Sequence, residues 1–471
     1  MSTAPQHADE HADEHADQQA VVVGGGLAGV TAALQLADAG LRVTLLEGRP
    51  RLGGLAFSFQ RGDLTVDNGQ HVYLRCCTAY RWFLDRVEGA ALAPLQDRLD
   101  VPVLDVAHPA GPRLGRLRRS ALPVPLHLAA SLARYPHLSL AERLSVGRAA
   151  LALRRLDPAD PALDGLDFAT WLARYGQSPR TIEALWDLVG IATLNATADR
   201  SSLGLAAMVF KTGLLSENGA ADIGWARVPL GDLHDTLARK ALDAAGVRTE
   251  LRSRVTCLSR TAEGHWRVDT EEESLRAGTV VLAVPQREAH ALLPPGALAD
   301  PDKLLDIATA PILNVHVVYD RKVLRQPFFA ALGTPVQWVF DRTDASGLTD
   351  GGQYLALSQS VAQDDIDEPV SVLRAKYLPE LERLLPAARG AKVRDFFVTR
   401  ERTATFAPTP GVGRLRPGHR TDTPGLYLAG AWTATGWPAT MEGAVRSGLG
   451  AARAALETLG RPAGDPLRET A

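Results

Sequence analysis

The chain has 471 residues, 46% of them hydrophobic and 22% charged, enough for about three domain-sized units of ordinary folded composition. A net charge of −3 gives no case for nucleic-acid binding, and no run of 18 apolar residues is present to span a bilayer. The three cysteines, Cys76, Cys77 and Cys257, form neither a C-x-x-C pair nor an even framework, so a reducing compartment is expected. With neither a basic start nor an apolar core at the N-terminus, no signal peptide is expected, and the protein is placed in the cytoplasm.

Residues 1–18 repeat His-Ala-Asp around His7, His11 and His15. On a helix those histidines would share a face and could capture a metal weakly. Nothing there can build a core, so the segment reads as a solvated acidic tail with no metal site. The stretch Gln18–Pro50 follows, and the rest of the chain is arranged around it. An apolar run, Ala20–Val23, leads into Gly24-Gly25-Gly26-Leu27-Ala28-Gly29; a helical pattern from Val30 to Ala39 turns at Gly40; a second strand, Arg42–Leu46, ends on Glu47. In this G-x-G-x-x-G spacing Gly24 makes the tight turn, Gly26 lets backbone approach a pyrophosphate, and Gly29 lets helix pack on strand. The pyrophosphate then meets the N–H groups of Leu27, Ala28 and Gly29 at the positive helix end. Glu47, 18 residues past Gly29, is placed to accept hydrogen bonds from ribose hydroxyls.

A second glycine pair, in Gly48-Arg49-Pro50-Arg51-Leu52-Gly53-Gly54, has no obvious use in a nicotinamide enzyme, whereas FAD needs a longer extended path. The pattern E-x3-R-x-G-G, here Glu47, Arg51, Gly53 and Gly54, resembles that of the flavin amine oxidase and phytoene desaturase superfamily. The resemblance implies that Gly48, Gly53 and Gly54 hold FAD through backbone amides and that Arg51 lies near the phosphates. It also implies the fold class: α/β, with a Rossmann-type FAD-binding domain of the glutathione-reductase-like or amine oxidase kind, a mixed sheet-plus-helix substrate domain and a helical subdomain.

Beyond a strand and turn at Phe57–Gly62 comes Leu64–Tyr73, where Asp67 and His71 flank a glycine. It reads either as a hairpin with a structural acid and a satisfied histidine, or as a loop beside the flavin or substrate. Its D-N-G-Q-H resembles the D-x-G-x-H of the hydroxysqualene dehydroxylase family and its desaturase relatives. Residues 74–220 read mostly as helix. From Pro109 to Arg155 they hold nine arginines and a single acid, Glu142, among leucines and chain-breaking prolines. That composition suits either a solvated basic cap or a surface resting on anionic lipid. Amphipathic helices are expected at Asp167–Tyr175 and Pro179–Leu188, and a turn into a helix between Gly224 and Ala245. Strands are expected at Arg254–Ser259 and Thr279–Val284, with a hairpin at Glu263-Gly264. The resemblance assigns these two strands to the FAD domain, with Val255 touching adenine through its backbone. Strands at Ile312–Tyr319, Val336–Phe340, Tyr354–Ser360 and Val393–Thr399, with a helix at Pro369–Leu385, read as the floor of a substrate cavity.

The chain is expected to return to the cofactor at Gly425-Leu426-Tyr427-Leu428-Ala429-Gly430, a strand ending at Gly430; a loop follows, and a helix starts near Ala439-Thr440. A helix N-terminus aimed at reduced isoalloxazine stabilises its charge by about 1–2 kcal/mol. The run L-A-G-x-W-T-x-T-G-x-P-A-T-x-E-G-A-V-R-S-G resembles the end of the hydroxysqualene dehydroxylases, so the match spans Ala20 to about Leu456. It implies cofactor contacts at Gly430, Ala431, Thr440 and Met441, although the superfamily usually carries an acid where this chain has Ala431. No cysteine lies near this motif, so FAD is expected to be non-covalent. The implied organisation is a tail (1–18), three FAD-binding parts (19–75, 221–290, 401–460), a helical substrate- or membrane-facing part (76–220), a substrate-domain sheet (291–400) and a second tail (461–471). The implied reaction is reduction of hydroxysqualene, an apolar isoprenoid, to squalene in hopanoid biosynthesis. Departure of the hydroxyl needs an acid, and His71, or Asp67 acting with it, is expected in that role from its place in the loop beside the flavin. An electron donor of unknown identity, contact with squalene-pathway synthases and rest on the inner face of the cytoplasmic membrane go with that reading. A carotenoid-type desaturase and a flavin amine oxidase are the rival readings.

Overall fold

The computed structural model describes residues 18–108, 110–464 and 466–469, so all but the last residue of the expected N-terminal tail lies outside the described residues. Its first layer is a five-stranded parallel sheet in the order Leu426–Leu428, Thr279–Leu282, Gln19–Val23, Arg42–Glu47, Arg248–Leu251. Parallel strands covered on both faces read as unbroken apolar runs, which is why Ala20–Val23 and Thr279–Leu282 show no alternation. One face packs against helices α1 (Leu27–Asp38), α2 (Thr78–Arg86) and, at the far end of the chain, α4 (Met441–Thr458). The other face packs against an antiparallel sheet of Val255–Arg260, Trp266–Thr270 and Ser274–Ala277, with Trp266 fully buried.

The second layer is a seven-stranded sheet in the order Val393–Phe406, Thr309–Tyr319, Gln353–Ser360, Trp338–Asp341, Phe328–Leu332, Asp100–Asp105, Arg113–Arg118. The helix Val370–Leu384 covers one of its faces through Leu373, Tyr377 and Leu381. Two of these strands come from the stretch read mostly as helix. In the first, Val101, Pro102 and Val103 are all buried, so it has no alternation to read, and its proline and terminal aspartates break up the apolar run; Arg113–Arg118 is an edge strand whose charges guard against edge pairing. The strand Phe328–Leu332 was also not anticipated. Its five residues are all buried, so it carries no alternation and is too short to announce itself.

The same region revises the basic segment. Arg116 pairs with Asp100 at 2.9 Å and Arg119 with the buried Asp222 at 2.5 Å, so these charges are neutralised. What remains is helix α3 (Leu140–Arg155), opened by a capping box between Ser139 and Glu142. Beyond it, helical turns from Phe168 to Leu215 build a core from Phe168, Trp186 and Phe210.

Helix α4 approaches α1 through Gly448, where a Cβ would lie 2.3 Å from the Ala28 carbonyl oxygen. Gly448→Val therefore forces the helices apart and is expected to cost about 1–3 kcal/mol, seen as a lowered thermal midpoint. An unchanged midpoint would mean that α4 docks elsewhere.

Candidate functional site

The first glycine turn is shaped by contacts that admit no side chain. Gly24 sits at φ +108° with a Cβ position 2.4 Å from Ala283 O, and at Gly29 a Cβ would overlap Gly24 O at 1.8 Å. The second turn lies on the first, backbone to backbone. Gly53 N–H donates to Gly25 O at 2.9 Å, and a Cβ on Gly54, at φ +56°, would stand 2.9 Å from Gly26 Cα. At Gly26 itself the nearest atom to an added Cβ is Gly54 Cα, 3.7 Å away. Gly26 is also the N-cap of α1 and has no capping side chain, so the first-turn amides of Leu27, Ala28 and Gly29 have no side chain bonded over them. An open glycine-walled groove at an uncapped helix start fits the pyrophosphate of a dinucleotide.

Around it the other expected residues gather. Glu47 accepts from Gly25 N at 2.6 Å and Arg49 N at 2.8 Å, which holds its carboxylate at the strand end. Gly48 abuts Arg254, and Ser253 N–H donates to Glu47 O at 2.9 Å, so the strand beginning at buried Val255 starts beside Glu47. The Arg51 guanidinium lies 3.4 Å over the Phe57 ring and donates to Leu52 O and Gly54 O. Burial lowers its pKa to about 10, which leaves it cationic at neutral pH.

The Asp67–His71 loop is strapped to this cradle and to the second layer at once. Asn68 accepts from Phe57 N at 3.1 Å and donates to Leu55 O at 3.0 Å, binding the loop to the residues just past Gly54. Its carbonyl accepts from Asn314 Nδ2 at 3.0 Å and Thr399 Oγ1 at 2.6 Å, both on strands of the seven-stranded sheet. Thr399 is in turn bonded to buried His316, whose other nitrogen meets Tyr354 Oη at 2.7 Å. Asp67 is fully engaged: Oδ1 accepts from Ser58 Oγ and Leu230 N, and Oδ2 from Arg342 at 2.8 Å. Acid and guanidinium are both buried, and Arg342 also donates to Ala226 O and Val228 O. His71 Nδ1 lies 2.9 Å from Gly69 O, which fixes the ring, and its Nε2 has no hydrogen-bond partner among the described residues. Burial holds this imidazole below the ordinary histidine range.

At the C-terminal turn Gly430, at φ +138°, donates to Ser447 Oγ at 2.8 Å, and Trp432 Nε1 reaches Val284 O at 2.9 Å. Thr440 caps α4 by accepting from Gly443 N at 3.1 Å, with Met441 as the first helical residue. Two residues here were not singled out from the sequence. Buried Arg416 grips the loop through the carbonyls of Ala431, Trp432, Thr433 and Trp437, so the position without an acid is held by a cation from outside the motif. Burial lowers that guanidinium to about 10. Glu442, pushed up by burial, accepts from Ala79 N and Tyr80 N at the start of α2 and from Arg446. The only sequence signal for Arg416 is a following Pro-Gly turn, and Glu442 was visible only as a letter of the motif.

Residues 27–456 match the family model of flavin-containing amine oxidoreductases. The chain belongs to that family and is an FAD-dependent oxidoreductase. Within it, the chain is similar to the hydroxysqualene dehydroxylases of Rhodopseudomonas palustris (30% identical, covering 92% of this chain and 96% of the relative) and Sinorhizobium fredii (29%, 92% and 97%). It is more distantly similar to the 15-cis-phytoene desaturase of Solanum lycopersicum (24%, 93% and 77%). A solved oxidoreductase of Methanosarcina mazei shares the fold at a TM-score of 0.73 with 15% identity, covering 92% of this chain and 99% of that one.

Two outcomes follow from the buried polar groups. Arg416→Gln strands several carbonyls, at about 1–3 kcal/mol each, and is expected to loosen the loop. The FAD-to-protein absorbance ratio after gel filtration should fall, and a full ratio would remove Arg416 from this role. Burial lowers His234 to about 4 and His316 to about 3, so the unfolded chain binds more protons than the folded one below the ordinary histidine value. Stability is therefore present above about pH 6.5 and lost as pH falls toward 4, by about 3 kcal/mol from His234 alone. Urea midpoints that stay flat over that window would contradict neutral burial.

Proposed function

We propose that this protein removes the hydroxyl group of hydroxysqualene, giving squalene and water, as a step of squalene and hopanoid biosynthesis. The observation that carries the reading is the Asp67–His71 loop, tied to the second glycine turn and ending in an imidazole with one unpartnered nitrogen. The full-length similarity to hydroxysqualene dehydroxylases supports it. Gly24, Gly26, Leu27, Ala28 and Gly29 with Arg51, Gly53 and Gly54 would hold the FAD pyrophosphate. Glu47 and Gly48 would hold the ribose, Val255 the adenine, and Gly430, Ala431, Thr440 and Met441 the flavin end. Reduced FAD, when bound, supplies the hydride that replaces the hydroxyl.

The residues supply the rest. An allylic carbinol loses its oxygen readily only if the oxygen is protonated as it leaves. With Nδ1–H directed at Gly69 O, the imidazolium form of His71 has one proton to give, on Nε2. Asp67, committed to Ser58, Leu230 and Arg342, acts by placing the loop and by favouring the imidazolium with its charge. An apolar substrate of this kind dissolves in lipid. The protein accordingly works at the inner face of the cytoplasmic membrane, reduced by a separate electron donor and near the synthases that form its substrate. Among the described residues no helix is long and apolar enough to cross a membrane.

The similarity to a phytoene desaturase favours one second reading, the same frame run oxidatively, which needs an electron acceptor and no acid. Anaerobic incubation of the chemically reduced holoenzyme with hydroxysqualene separates the two. Squalene formed as the flavin reoxidises is expected; no squalene, together with flavin reduction of the oxidised enzyme by a polyene, would transfer the assignment to the desaturase reading. His71→Ala should slow the single-turnover rate by about 10²- to 10⁴-fold with FAD retained. In the intact enzyme the rate should rise as pH drops through the lowered His71 value, because only the protonated ring donates. A near-normal rate in the variant would exclude His71 as the acid.

A further inference from the structure

Helix α3 carries two apolar faces, and only one of them is used. Val146, Ala149 and Leu153 are buried against the helical core, as an ordinary surface helix requires. On the opposite side Leu140, Leu144 and Leu151 are 70%, 72% and 49% exposed, with Gly147 open between them. At 100° per residue these positions fall within an arc of about 60°, so they form one continuous stripe along the helix. Three well-exposed leucines on one stripe are not the scattered apolar residues that any surface shows.

On the helix itself, the charged residues that flank the stripe are all arginines. Arg143 and Arg148 flank it, and their guanidinium groups donate to main-chain carbonyls of Leu138, Ala133 and Tyr175, so neither loses its charge to an acid. Arg154 and Arg155 stand exposed at its C-terminal end and Arg134 just before the helix, none with an ion-pair partner among the described residues. The single acid between residues 121 and 155, Glu142, is turned inward to Ser139 and Ser178. The approach to the helix is similar: Leu122 and Leu126 are exposed, and the short helix Ala129–Ala133 that follows is tied to α3 by Arg143.

We propose that this face of α3 is the surface by which the protein rests on a bilayer rich in anionic lipid, the leucines entering the acyl boundary and the arginines meeting the headgroup phosphates. Leucines at the centre of a basic rim are the pattern that lies in such an interface, and long arginine stems let charge stay at headgroup level while the helix sinks. The inference names the membrane contact for the apolar-substrate reading and rests on that reading for its purpose. It requires no turnover to be tested.

Purified FAD-loaded enzyme is floated with vesicles of phosphatidylglycerol and phosphatidylethanolamine, and separately with phosphatidylcholine alone. Binding to the anionic vesicles is expected to be at least about tenfold tighter, with Arg154→Glu and Arg155→Glu each weakening it by about fivefold or more. Leu140→Ser, Leu144→Ser and Leu151→Ser together should abolish flotation. FAD content, thermal midpoint and turnover of detergent-dispersed substrate should stay unchanged, since these side chains touch no core. Equal flotation of the triple variant, or none by the intact enzyme, would overturn the proposal. So would an intact enzyme that is a dimer and becomes a monomer in the variant, because a second copy would then cover the face.

Discussion

The buried contact between Asp67 and Arg342 is the interaction on which the rest of the site depends. Two opposite charges taken out of water survive only with their remaining bonding capacity filled, and here it is: Ser58 and Leu230 complete the acid, Ala226 and Val228 the guanidinium. Arg342 follows the strand Trp338–Asp341 of the seven-stranded sheet, while Asp67 closes the small hairpin next to the second glycine turn. The pair therefore joins the layer that carries the glycine turns to the seven-stranded sheet. A one-sided arrangement would leave the Asn68–His71 segment free to choose its own conformation. With Asn314 and Thr399 gripping Asn68 from one side and Leu55 and Phe57 from the other, it has one.

The glycine-walled groove rests on a different kind of constraint, the absence of side chains. Two glycine turns touch through backbone, and helix α1 starts on the same groove, so the positive charge offered there to a pyrophosphate comes from amides fixed by the fold. The C-terminal turn completes the frame by the opposite means. A buried cation, Arg416, organises the carbonyls of the Ala431–Trp437 loop, and Glu442 ties the start of α4 to the start of α2. Through Glu442, segments 363 and 362 residues apart in sequence are joined in one frame.

Much of this was readable in the chain before any coordinates. Strand, glycine turn, helix, strand and acid announce themselves because each step of the Ala20–Glu47 unit has its own local requirement, and the second glycine pair narrowed the ligand to a flavin. What stayed hidden was partnership across sequence. Nothing near Asp67 points to Arg342, nothing near Asn68 to Asn314 or Thr399, and a lone arginine before Pro417 does not advertise a buried grip on four carbonyls. The hairpin Asp100–Asp105 and Arg113–Arg118 was lost for another reason: a proline and terminal aspartates interrupt the apolar run of one strand, and a row of edge arginines hides the other. The basic segment read as a single surface divides in the fold into ion pairs on the sheet edge and a separate, unpaired helix face.

The most direct test of this account is a double-mutant cycle on the clamp, with Asp67→Asn, Arg342→Met and both together measured by urea unfolding of the FAD-loaded protein. Arg342→Met alone should cost about 3–5 kcal/mol, because it strands a buried carboxylate, and the double variant should recover part of that loss. A coupling energy of roughly 1–3 kcal/mol is the predicted result. Costs that simply add, within about 0.5 kcal/mol, would contradict the claim that the two layers are joined through this pair.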